Sequence, residues 1–172
     1  IIVALGASRA LDPIVAQAHG AGDRRTVGAG LSLGFAMAGL LVIPVIALFA
    51  FAEPVLDLLG QPRELLAPAG AYCRALIWGV PGLLAFAVCR QFAQALGVMR
   101  PGTLAVLLAN CVNAGLNWIL IYGKLGAPAL GTLGSGYATA TAQWFMFGAL
   151  LFFGRRSFRG HWLGWAARLE WQ

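Results

Sequence analysis

The side chains in this chain with chemical potential are few, and most of them carry amides. Thr103, Asn110, Asn113 and Asn117 follow one another in steps of seven, three and four. At 100° per residue those steps bring all four onto one face of a helix, with Lys124 at its outer end and Leu, Val and Ile opposite. A second series, Ser135, Thr139 and Gln143, repeats every four residues, with Thr132 seven before Thr139. Both series lie in apolar sequence, where an unpartnered polar group is costly. One reading is interhelical contact, contributing about 0.6 kcal/mol per group on average and up to roughly 2. Three asparagines within two turns exceed what contact needs, so a lined cavity is the better account. Ser135 reads as structural, because Ser and Thr can satisfy themselves on the preceding turn's carbonyl. Thr139 is evenly balanced between the two readings.

Catalysis is the poorer account. There is no His-Glu-x-x-His, no Gly two before Ser135 to form a serine elbow, and no Walker or dinucleotide loop. His19 and His161 fall in connections and read as solvated. Arg9 and Asp12 stand three apart and read as a structural pair. Cys73, Cys89 and Cys111 lie in apolar stretches without paired spacing and read as small apolar residues, giving neither disulfides nor a metal site.

The elements that must position the amides follow from composition. The chain has 172 residues, 60% of them hydrophobic and only 10% charged, against roughly half and a quarter in soluble proteins. Eighteen charges cannot coat such a globule, which excludes a soluble enzyme or a disordered tail. The +6 net charge is scattered between apolar runs rather than along one polar face, which argues against nucleic acid. The fold expected is all-α, a polytopic bundle of membrane helices, since a span needs about 20 apolar residues. Five segments qualify: 1–19, 27–52 with a kink expected at Pro44, 67–96 with a kink at Pro81, 101–123 and 132–154. In 67–96, Arg74 and Arg90 are expected to snorkel to the interface; Gln91 and Gln94 are expected there too. Gly30, Gly34 and Ala38, and likewise Gly134, Ala138 and Ala142, form small-residue ridges suited to close helix packing.

The connections alternate in charge, eight basic residues on one side and three on the other, and the basic side is expected to be cytoplasmic. Residues 155–172 mix arginines with Trp162, Trp165 and Trp171 and read as an interfacial helix or loop, or a connection onward. The chain opens on Ile1 inside an apolar run, with no signal peptide visible, and reads as a piece of a longer membrane protein.

Several runs resemble one family. Gln17-Ala18-His19-Gly20-Ala21-Gly22 looks like the end of the second helix of the MATE (multidrug and toxic compound extrusion) transporters. Arg90-Gln91-Phe92-Ala93-Gln94-Ala95-Leu96-Gly97 leading to Arg100-Pro101 is similar to that family's fourth-to-fifth helix connection. Asn113-Ala114-Gly115-Leu116-Asn117-Trp118-Ile119-Leu120-Ile121-Tyr122-Gly123-Lys124, with Gly126-Ala127-Pro128, Leu130-Gly131 and Gly134 through Ala140, resembles the NorM branch.

The resemblance implies helices two to six of a two-lobe, twelve-helix antiporter, with residues 1–154 as a partial amino-terminal lobe. Such an antiporter, in the cell membrane (the inner membrane of a bacterium), exports organic cations or drugs as Na+ or H+ enters. It implies ion binding at Asn113, Asn117 and Thr139, completed by a helix-one Asp that this chain does not contain. Asn117 stands where some branches carry the carboxylate, so this chain offers that site neutral oxygens only. Asn110 and Gln143 are candidates for the substrate cavity. No cofactor and no metal beyond Na+ is implied, and the expected partners are membrane lipids and small organic cations, for a monomer. Two other readings stand beside it: a lipid-linked oligosaccharide flippase of the same architecture, and a non-transporting structural membrane subunit.

Overall fold

The computed structural model describes residues 17, 18 and 20–166, except for the side chains at 24, 25 and 156–166. Most of the expected helix 1–19, with Arg9 and Asp12, therefore lies outside the described residues, as do His19 and the side chains of His161, Trp162 and Trp165. Trp171 lies outside them too. Among the described residues there are six named helices and no strand: α1 Arg24–Ala50, α2 Ala52–Leu58, α3 Arg63–Ile77, α4 Val80–Ala95, α5 Arg100–Tyr122 and α6 Gly131–Ala166.

α1 begins where Asp23 caps it, its carboxylate accepting the Thr26 backbone N–H at 3.1 Å. The helix continues through Pro44, ends at Ala50, and breaks at Phe51 before the short α2. The expected span 67–96 is two helices, α3 and α4, bent by 53° at Trp78–Gly79. Pro81 lies in the first turn of α4, where its missing N–H costs nothing. Its ring obstructs the turn before it, so the break falls just ahead of the proline. At the break the Trp78 carbonyl accepts the Trp144 indole N–H at 2.7 Å.

α5 matches the expected 101–123 to within a residue at each end, with Gly123 closing it in the left-handed region at φ 66°. α6 starts one residue before the expected Thr132 but continues past 154 to Ala166. No proline follows Pro128, and Gly154 and Gly160 alone do not break a helix. Thr26–Ala50 and Arg100–Tyr122 are each long and apolar enough to cross a membrane, and α3 with α4 qualifies as a bent pair. α6 does not join that set, because Gln143, its threonines and its glycines dilute its apolar character.

Small residues fill many of the helix contacts, beside buried Leu150 and Phe86, and many large residues lie outside. Ala105 and Ala138 are fully buried, whereas Leu40 and Trp78 are 71% and 73% exposed. A Cβ at Gly34 would lie 3.0 Å from Val88, so α1 packs closely on α4. One at Gly136 would lie 2.6 Å from the Ala75 methyl, which brings α6 equally close to α3. Of the expected small-residue ridges, Gly34 lies in the α1–α4 contact and Gly134 against the Leu120 carbonyl of α5, with Ala38, Ala138 and Ala142 buried. Arg74 donates to the Glu53 carboxylate at 2.7 Å across the α2–α3 turn. Both partners are partly exposed, so the pair contributes about 1 kcal/mol at most.

Candidate functional site

The site is built on the α5–α6 hairpin, the most extensive helix pairing among the described residues. Two contacts set its register. The Leu130 backbone N–H donates to the Leu120 carbonyl at 2.9 Å, and Gly134 lies so close to that carbonyl that a Cβ would stand 2.6 Å away. Counting back along α5 and forward along α6 from there, Asn113 comes opposite Thr139. Their side chains meet: the Asn113 amide N–H donates to Thr139 Oγ1 at 3.3 Å.

The pair belongs to a directed chain. Asn117 Nδ2 donates to Asn113 Oδ1 at 2.9 Å, one turn along α5. The Thr139 hydroxyl in turn donates to the Ser135 carbonyl at 2.9 Å. Donors thus run from Asn117 through Asn113 and Thr139 to the backbone of α6, all between half-buried side chains. What this polarity leaves over is an acceptor: Asn117 Oδ1 is buried and has no hydrogen-bond partner. A buried polar atom left so costs roughly 1–3 kcal/mol.

Gln143, one turn beyond Thr139 on α6, leaves a second such oxygen. Its Oε1 is buried without a partner and lies against Gly79, where a Cβ would come within 2.0 Å of it. The helix break at Trp78–Gly79 therefore receives two neighbouring α6 side chains, Gln143 over the glycine and Trp144 on the Trp78 carbonyl. Gly79 lies two residues before Pro81, and its lack of a side chain is what lets Gln143 approach. Asn110 does not join the cluster. It is exposed, although spacing puts it at the centre of the polar face.

Chemically the arrangement is a neutral seam whose unused valences are oxygens. Among the described residues no group of three or more His, Cys, Asp or Glu is placed to hold a metal ion, and Lys124 is exposed at the far end of α5. Amide and hydroxyl oxygens of this kind suit a hard cation and cannot carry a proton at neutral pH. Asn117 Oδ1, Asn113 Oδ1 and Thr139 Oγ1 share one seam, and only the first is without a partner.

A bundle of apolar helices, packed through small residues and presenting large ones outward, defines a multi-pass helical membrane protein. A family model described as MatE matches residues 1–119, and the chain belongs to the MatE family. The multidrug resistance protein NorM of Vibrio vulnificus (strain CMCP6) is 36% identical over 159 residues, covering 92% of this chain and 35% of its own length. The multidrug resistance protein MdtK of Klebsiella pneumoniae subsp. pneumoniae is also 36% identical, over 158 residues, covering 91% and 35%. Among solved structures, an inward-facing multidrug resistance MATE family transporter of the MOP superfamily superposes with a TM-score of 0.72. It is 21% identical and covers 87% of this chain and 33% of that one, which bears on the fold. The chain spans about a third of the length of these relatives.

Proposed function

We propose that this chain is part of the amino-terminal lobe of a multidrug efflux antiporter in a bacterial inner membrane. The transporter exports organic cations as Na+ or H+ enters, by rocking two lobes about a site at mid-depth. In this reading Asn113, Asn117 and Thr139 supply neutral oxygens to the coupling cation, and Gln143 borders the substrate cavity. The acid that completes the site, and any proton it carries, comes from outside the described residues.

One observation carries the reading: the hydrogen-bond chain uses the inner donors and ends on an unpartnered, buried acceptor at Asn117. A seam that served helix contact alone would pair that oxygen too, since leaving it dry is costly. A cation approaching Asn117 supplies what the helices do not. Asn113 orients it by holding its amide nitrogen, so that the oxygen faces away from the pair.

The test uses the full-length protein expressed in cells without other efflux pumps, reading accumulation of a cationic dye. Asn117→Ala and Asn113→Ala are expected to raise dye accumulation at unchanged membrane levels. Normal efflux from folded variants would return the asparagines to helix contact alone.

A further inference from the structure

A second site lies away from the amide seam, toward the basic end of the bundle. There α4, α5 and α6 enclose a pocket of about 350 Å³ whose wall includes Ala87, Val106 and Met146 and whose rim carries Arg90, Gln91 and Gln94. That volume is near the lower limit of ordinary ligand sites, roughly 300–1,000 Å³. The pocket is lined along α4 from Leu83 to Gln94, about 16 Å at 1.5 Å per residue. This is close to half of a ~30 Å hydrocarbon layer, so the pocket is about one leaflet deep.

The rim is polar and positively charged. Arg90 has no carboxylate partner among the described residues, and its guanidinium carbon stands 6.0 Å from the Phe86 ring centroid. Its stem rests over Gly102, where a Cβ would lie 3.4 Å from Cγ, so the chain is parked while the head stays exposed. Gln91 and Gln94 add amide donors within a turn of it, near the end of α4 where a headgroup layer would begin. An organic cation entering here would meet an unpaired guanidinium first.

We propose that this pocket binds an anionic phospholipid of the leaflet on the basic side of the bundle. The phosphate sits at Arg90 with the two glutamine amides, and one acyl chain lies along Ala87, Val106 and Met146. Basic pockets between membrane helices recognise lipid headgroups in this way. The proposal rests on membrane embedding and this pocket, and is independent of the transport reading.

The test takes the full-length protein in nanodiscs of phosphatidylglycerol or phosphatidylethanolamine and counts retained lipid by native mass spectrometry. The wild type is expected to retain phosphatidylglycerol about fivefold more readily, the effect of one basic residue near a membrane surface. Arg90→Gln should abolish that preference, and Arg90→Lys should restore most of it. Met146→Trp, which fills the slot and keeps the charge, should lower retention of both lipids. An unchanged preference in folded Arg90→Gln overturns the proposal. So does decyl phosphate binding in detergent with the same Arg90 dependence while phosphatidylglycerol is not retained, because the occupant is then a soluble amphiphile. Displacement of the retained lipid by a cationic dye overturns it as well, by making the pocket a drug site.

Discussion

Asn113 is the only side chain in the seam that both donates and accepts through its own amide, and this makes it the position of greatest consequence. Asn113→Ala removes two hydrogen bonds and strands a buried donor on Asn117, a loss of roughly 1–3 kcal/mol. Thr139→Val removes one interhelical bond of about 0.6 kcal/mol and leaves the Asn117–Asn113 pair intact. Thermal unfolding of the full-length protein in detergent should therefore rank Asn113→Ala well below Thr139→Val. The reverse order would mean that the chain is anchored on α6 rather than on α5. The spacing of the asparagines in the sequence already fixed a shared face, and that face does hold Asn113 and Asn117. It placed Asn110 there as well, yet that residue is exposed. Helical periodicity reports direction around one axis and says nothing of what stands opposite at each level. By the register that sets Asn113 opposite Thr139, Asn110 is level with Ala142, whose methyl offers no hydrogen bond.

Among the elements, glycines divide sharply by what surrounds them. Gly134 faces the carbonyl carbon and oxygen of Leu120, main-chain atoms that cannot swing aside, so Gly134→Ala must push α6 off α5. Overpacking of this kind costs about 1–3 kcal/mol, and here it also pulls Thr139 from Asn113. Gly115 sits exposed on α5 with open space around its Cβ position. Gly115→Ala should raise stability by about 0.5–1 kcal/mol through helix propensity. Unfolding midpoints should move in opposite directions for the two variants. Helix existence is plain from the long apolar runs. The break at Trp78–Gly79 falls just ahead of the expected kink at Pro81, because a proline shows in sequence while the turn it displaces does not. α6 runs on past the expected end of its span, into the stretch expected as an interfacial helix or loop: arginines after Gly154 mark the edge of an apolar layer, and a helix has no need to stop at that edge.

For the whole molecule, the charges of the connections set an orientation that can be measured. The α4–α5 turn at Gly97 lies between Arg90 and Arg100, and the α5–α6 loop at Gly126 is next to Lys124 alone. Single cysteines at the exposed neighbours Met99 and Ala129, in an otherwise cysteine-free full-length protein, should differ toward a membrane-impermeant maleimide. Position 129 should react in intact cells, and position 99 only after permeabilisation. Equal labelling of both from outside would invert or abolish the arrangement that the positive-inside bias implies. Outward-facing Leu40, Ile43 and Leu58 meet only requirements of bulk and oiliness, so one large aliphatic or aromatic group can replace another there. Gly34, Ala105, Gly134 and Ala138 have no such latitude: Ala105 and Ala138 are fully buried, Gly34 lies under Val88, and Gly134 nearly touches the Leu120 carbonyl. A saturation-mutagenesis map of this chain would accordingly show intolerant columns at its smallest residues, beside buried large ones such as Leu150 and Phe86, and permissive columns at its largest outward ones.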